Sequence, residues 1–373
     1  MIENPFLTYG YETPDYFCDR KSETAELIKL LVNENNTALI SPRRMGKTGL
    51  IQHCFIQPEI QERFYTFIVD IYSTKNLKDF VFQLGYSIVR KLKPKGQKAI
   101  DKFLQFVTSL RTGISLDGRG NASWNIQIGD IKTPDFTLEE IFNYLQSADK
   151  RCIVAIDEFQ SINNYPEHNT EALLRTYVQQ CRNATFIFSG SQQSMMSEMF
   201  TSPSRPFYQS ISLMFLKPIP LSEYELFAKR HFKTSNRDIE DGTVELIYNH
   251  FDGVTWYIQK MLNQLFSNTG IGMTSFQTDV EKAKDMIIGQ NEEAYKDTLY
   301  QLTVAQRDLL VAICKERKAE HITAMKFIQK HNLQSASSVQ KAAAVLLSKQ
   351  LITQYQGIYE AYDKFMSEWI SKK

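Results

Sequence analysis

Ser41-Pro42-Arg43-Arg44-Met45-Gly46-Lys47-Thr48 decides the fold. Its last three residues satisfy the phosphate-loop pattern G-x-x-x-x-G-K-[ST], and Ser41 stands where that pattern has its first glycine. The flanks supply the required context. Asn36 to Ile40 ends in a short apolar run suited to a buried strand, and Gly49 to Ile56 suits a helix. A strand, a tight loop and a helix N-terminus together aim backbone N–H groups at an anion. In that setting Lys47 reaches the β- and γ-phosphates of a nucleotide and Thr48 holds Mg²⁺.

A second stretch completes the pattern. Arg151-Cys152-Ile153-Val154-Ala155-Ile156-Asp157-Glu158-Phe159-Gln160 reads as a buried parallel strand ending in two carboxylates. Asp157 is the candidate to hold Mg²⁺ with Thr48, and Glu158 the candidate to polarise an attacking water. A third apolar run, Ala184 to Phe188, ends in Ser189-Gly190-Ser191-Gln192. Ligands of open parallel sheets sit at the carboxyl ends of strands, so at least one of Ser189, Ser191 and Gln192 is expected near the γ-phosphate or the water, the alternative being a strand-end turn capped by serine. Together these stretches point to a nucleotide hydrolase.

Composition bounds the rest. A chain of 373 residues is too long for one typical core, so two or three domains are expected. Hydrophobic residues at 43% and charged residues at 23% exclude disordered and fibrous classes. The 43 basic and 42 acidic residues give a net charge of +1, which does not favour a surface-wide nucleic-acid footprint. The longest apolar runs fall far short of the roughly 20 residues of a membrane helix. With no apolar leader at the N-terminus either, a cytoplasmic location is expected. Five cysteines without a C-x-x-C pair read as reduced core thiols, and six scattered histidines give no zinc pattern.

Along the chain, helical spacing predicts a helix near 22–31 ahead of the phosphate loop; it and the loop holding Phe17 and Arg20 either lie over an adenine or serve as N-terminal packing. Phe64 to Tyr72 is β-rich, and helices follow over 76–92 and through Leu104 after a basic hinge, Lys91 to Gly96. Ile114-Ser115-Leu116 and Ser123 to Ile128 flank a turn at Asp117-Gly118-Arg119-Gly120, which predicts a hairpin inserted within 111–133. Further helices are expected over 137–148 and 171–181, and a last strand over 211–216. Pro218 and Pro220 mark a boundary. Beyond it the periodicity predicts helices over 223–232, 239–251, 255–266 and 279–302. The end changes character, with helices over 305–316, 323–331 and 335–349 and a hairpin around Gln356-Gly357, the order of a winged helix. The last of these helices carries only Lys341 and Lys349 as basic residues, few for reading DNA.

These parts resemble the archaeal-type P-loop ATPases of the STAND and AAA+ group. The resemblance rests on Phe17-Cys18-Asp19-Arg20, Ser41 to Thr48, Ile156 to Gln160, Ser189-Gly190-Ser191 and the C-terminal winged helix, and it covers nearly the whole chain. It implies an α/β fold: a P-loop five-stranded parallel sheet flanked by helices, a helical lid, and a winged helix that closes over the nucleotide. The expected domains are a core at 1–218, a lid at 219–302 and a winged helix at 303–373. Ser41, Pro42, Arg43, Arg44, Met45, Gly46, Lys47, Thr48 and Gly49 are then the expected nucleotide contacts, with Phe17 and Arg20. Glu158, Lys47, Ser191 and Arg205 are the catalytic candidates, Arg205 as an arginine finger. Thr48 and Asp157 are the metal candidates. Ser41 in place of glycine keeps a small side chain. Gly253-Val254-Thr255 lacks the proline common at the lid of such proteins, and no arginine trails Tyr208-Gln209-Ser210.

The expected function is a slow ATPase acting as a nucleotide-controlled switch, with ATP and Mg²⁺ bound, a protein partner, no membrane contact and oligomers left open. Two other readings stay open: an initiator-like ATPase on DNA, and a weakly catalytic nucleotide-binding scaffold.

Overall fold

The computed structural model describes residues 4–92, 113–116, 122–125 and 133–372. The main sheet has five strands: β1 (Thr37–Ile40), β2 (Phe64–Asp70), β5 (Arg151–Asp157), β6 (Ala184–Gly190) and β7 (Ser212–Phe215). Their order is β2-β5-β6-β1-β7, with every neighbouring pair parallel. β5 and β6 are buried along almost their full length, which explains their continuous apolar sequence. A separate antiparallel pair joins β3 (Gly113–Leu116) to β4 (Ala122–Asn125) within the segment where an inserted hairpin is expected. Its expected turn at 117–120, the basic hinge from Lys93 and the helix through Leu104 lie outside the described residues.

Register explains how the sheet builds a site. Ile40 pairs with Gly190 and Asp70 with Asp157, so the strands end together along one edge. Chain segments far apart in sequence thereby deliver their next residues to a common place. Behind that edge lies an aromatic core of Phe159, Phe188, Phe200 and Phe207, with ring centroids 4.5–6.0 Å apart. Each such ring withdrawn from water is worth about 1.5–3 kcal/mol.

The contacts divide the chain into two compact units, Gly10–Pro218 and a second formed by Met1–Tyr9 with Ile219–Lys373. The sequence assigns residues 1–9 to the core, whereas the structure groups them with the second unit. The reason is Phe6, which is fully buried among Phe227, His231, Phe232 and Phe266. Asn263 fastens the same segment by donating to the Phe6 carbonyl at 2.8 Å.

The second unit opens with helices Leu221–Thr234, Thr243–His250, Thr255–Asn268 and Asp279–Tyr300. The helix expected from Ile239 begins at Thr243 instead. Asp238–Ile239 forms a short strand, β8, parallel to β9 (Thr274–Ser275), and neither is visible as periodicity in so short a run. The winged helix follows with helices Val304–Glu316, Met325–Lys330 and Ala336–Ser348. Its sheet runs β10 (Ala319–Glu320), β12 (Ile358–Ala361), β11 (Ile352–Tyr355), with both pairings antiparallel. A final helix, Lys364–Ser371, closes the chain under an Asp363 cap.

Candidate functional site

The phosphate loop leaves β1 and enters the helix Lys47–Phe55. Gly46 caps that helix with φ +88°, and Arg44 takes φ +67°, so the loop's left-handed turns fall at these two positions. Ser41 is not among the positive-φ residues, which explains why a serine fits where the pattern has glycine. Its side chain is fully buried, and its hydroxyl donates to the Pro42 carbonyl at 3.0 Å.

Lys47 is only 6% exposed. Its ammonium donates to the carbonyls of Ser41 and Pro42, both at 3.1 Å, and to Ser41 Oγ at 3.3 Å. Burial pushes its pKa down to about 8, against the pull of Glu158 and Asp157. The next residue reaches across the sheet, with Thr48 Oγ1 donating to Asp157 Oδ2 at 2.6 Å. The other Asp157 oxygen accepts from Ser189 Oγ at 2.8 Å and from the Glu158 N–H at 3.0 Å.

Glu158 follows in the left-handed region, φ +57°. This turns the chain into the short 3-10 helix Phe159–Asn164 and aims the carboxylate back over the strand ends. Glu158 Oε2 accepts from Ser191 Oγ at 2.7 Å and from Gln160 Nε2 at 2.5 Å, while Oε1 lies 3.8 Å from Arg43 Nε. Arg43 also lies over the Tyr72 ring. Ser41 and Lys47 are thus in direct contact, and beside them Thr48, Asp157, Ser189, Glu158, Ser191 and Arg43 form a second connected set.

Four candidates sit differently. Arg20 is 2% exposed, and its guanidinium donates to Glu23, to the Lys217 carbonyl and, at 3.0 Å, to the Met45 carbonyl. It therefore braces the loop from beneath. Phe17 stacks on His53 at 4.4 Å, and its edge lies 3.5 Å from where a side chain on Gly49 would begin. Arg205 is taken up by Glu171 at 2.6 Å and by Asn163. Burial raises Glu171 to about 6 even beside that guanidinium. Gln192 is exposed at the start of the helix Gln193–Thr201.

Two neighbours went unassigned in the sequence. Gln160 touches Glu158 directly, and its signal was its place two residues on in the Asp157–Gln160 run. Asp70 ends β2 beside Asp157; burial raises its pKa, with Asp157 and Glu158 adding to the shift. The hydroxyl–carboxylate pair of Thr48 and Asp157 is an all-oxygen donor set, which fits a hard divalent cation such as Mg²⁺ completed by waters and phosphate. The five cysteines are all free and buried. No helix among the described residues is long and apolar enough to cross a membrane.

A parallel sheet in this order, with a phosphate loop after β1 and an acidic pair after β5, defines a P-loop ATPase fold. Residues 17–261 match the family described as an ATPase domain predominantly from Archaea, and residues 293–372 match a probable winged helix domain. The first match spans well over half of the chain, so the protein belongs to that family of ATPases, and ATP is its expected ligand. No curated protein matches the sequence. Among solved structures, a Walker-type ATPase of Pyrococcus abyssi is similar over 98% of this chain and 99% of its own, at 18% identity and TM-score 0.63. The ORC2 protein of Aeropyrum pernix, in ADPNP-ADP complexes, is similar over 99% and 95%, at 15% identity and TM-score 0.59. The ORC1 protein of the same organism, in complex with DNA, is similar over 99% and 96%, at 10% identity and TM-score 0.56. At these identities the likeness is one of fold.

Proposed function

We propose that this protein is a slow, Mg²⁺-dependent ATPase that works as a nucleotide-controlled switch for a protein partner. The observation that carries the reading is the Thr48–Asp157 hydrogen bond, 2.6 Å long between residues 109 apart in sequence. It joins the phosphate loop to the acidic strand end at the position where a metal–phosphate pair belongs. Thr48 and Asp157 would hold Mg²⁺, which when bound neutralises charge on the β- and γ-phosphate oxygens. Lys47 would exchange its carbonyl partners for phosphate oxygens. Glu158 orients the attacking water, and Ser191 keeps the Glu158 carboxylate in place. Lys47, Thr48 and Glu158 each have protein partners already, so ATP must exchange contacts to engage them, which supports slow turnover.

The test is a Glu158→Gln protein assayed for ATP binding and hydrolysis, then used as bait with ATP or ADP. We expect binding without turnover, and a partner retained with ATP but not with ADP. Hydrolysis at the parent rate overturns the role of Glu158, and retention indifferent to nucleotide overturns the switch.

A second reading is duplex DNA engagement by the winged helix. It is favoured by the exposure of Ser337, Gln340 and Lys341 on the helix Ala336–Ser348 and by the shared fold with a protein solved on DNA. An ATP- and salt-dependent mobility shift tests it, and no shift at low salt removes it.

A further inference from the structure

Gln160 is 2% exposed, yet it sits two residues from the catalytic candidate Glu158. The left-handed turn at Glu158 folds the chain so that the side chain two residues on reaches back to it. Phe159 between them is buried in the aromatic core and fixes that turn. The Gln160 amide nitrogen then donates to Glu158 Oε2, the same oxygen that Ser191 Oγ approaches from the end of β6. The amide oxygen is buried and has no hydrogen-bond partner among the described residues. A polar atom held this way is costly, and flipping the amide would set that oxygen against the carboxylate instead.

Room for the amide comes from one residue. A Cβ on Gly190 would lie 2.4 Å from Gln160 Oε1 and 2.4 Å from Met196 Sδ. Gly190 is paired with Ile40 at the end of β6, so its backbone is fixed by the sheet. The glycine is a socket that Gln160 fills together with Met196.

We propose that Gln160 is a positioning residue of ATP hydrolysis, seated in the Gly190 socket so that Glu158 works through one chosen oxygen. Two donors on Oε2 leave Oε1, which Arg43 Nε approaches only to 3.8 Å, as the proton acceptor. As the water oxygen bonds to the γ-phosphorus, its proton passes to Oε1. The bond from that phosphorus to the β–γ bridging oxygen breaks, releasing ADP and phosphate, and Oε1 returns the proton to solvent. This rests on the reading of Glu158 as the water-orienting group.

The test is Gln160→Met, which keeps the length of the side chain and removes its donor. In the full chain we expect kcat to fall about tenfold to a hundredfold. KM and the affinity for a non-hydrolysable ATP analogue should stay within about twofold, because the amide touches the base and not the loop. In a Glu158→Ala background the same substitution should change the residual rate no further, since there is no carboxylate left to position. Gly190→Ala, which unseats the amide, should reproduce the kcat loss. A Gln160→Met protein that binds analogue normally and turns over at the parent rate overturns the proposal. So does a loss that persists in the Glu158→Ala background. If Glu158→Gln keeps the parent rate, the reading beneath the proposal fails instead, whatever Gln160→Met does.

Discussion

In residues 10–218 five buried polar residues meet at one edge of the parallel sheet: Ser41, Lys47, Asp157, Gln160 and Ser189. They bond to one another, to the loop itself or, for Gln160, to Glu158. In the second unit the main charged cluster lies at a joint between elements. Glu368, on the final helix, meets His250 at 3.2 Å, Arg317 at 2.5 Å and Lys284 at 3.7 Å. Tyr257 reinforces the joint by donating to the Tyr362 carbonyl and accepting from the Lys364 N–H. The first cluster is a set of contacts that a nucleotide can exchange for its own, so its loss should cost function. The second fastens the winged helix to the helices before it, so its loss should cost stability.

The sharpest break of that contrast is Lys47→Ala. We expect ATP binding to drop below detection in a fluorescent-nucleotide titration, with the melting temperature unchanged or higher, because a buried ammonium has been removed. Next is Glu158→Gln, which should lower turnover about a hundredfold to ten-thousandfold while analogue binding persists. A joint loss of binding would move Glu158 from chemistry to ligand capture. Phe6→Ala addresses the other unit. Emptying that aromatic pocket should cost about 3–5 kcal/mol in denaturant unfolding of the second unit, with nucleotide binding retained.

Glu368→Gln should cost about 2 kcal/mol by the same measurement. The His250 contact, with Arg317 and Lys284, holds the Glu368 carboxyl down at about 2, below its ordinary 4.5. Its contribution is therefore complete above pH 4.5 and fades as pH falls toward 2, so the parent's acid destabilisation should be blunted in the variant. The smallest effect concerns pH in the core. Lys47, with its pKa near 8, loses its charge as pH rises through that value. Analogue affinity should weaken by about tenfold for each pH unit above it. An affinity flat from pH 7 to 9 would mean that the ammonium is not what holds the phosphates.

Much of the core was legible because its signals are local. Gly46-Lys47-Thr48 and Asp157-Glu158 carry their chemistry in adjacent residues, and apolar runs as dense as Cys152–Ile156 have few alternatives to a buried strand. Residues 223–349 announced most of their helices through periodicity. The short strands β8 and β9 went unseen because two residues cannot display a period. Arg20 was read as a nucleotide contact from the family resemblance of Phe17 to Arg20, and Arg205 as a candidate arginine finger. Sequence cannot reveal that Met45, Lys217, Glu171 and Asn163 already occupy their guanidinium groups.

The stretch Ser41–Thr48 by itself determined the class, because its pattern fixes a strand, a loop and a helix N-terminus within eight residues. Only the tertiary structure decided how Glu158 is held. Two donors to its Oε2 come from Gln160 and Ser191, and the space Gln160 needs depends on Gly190, 32 residues beyond Glu158 and on the strand next to β5. Proximity created by strand register leaves no mark in the local pattern of a chain, so a missing Cβ on one strand and an amide after another become a single device only when the sheet forms.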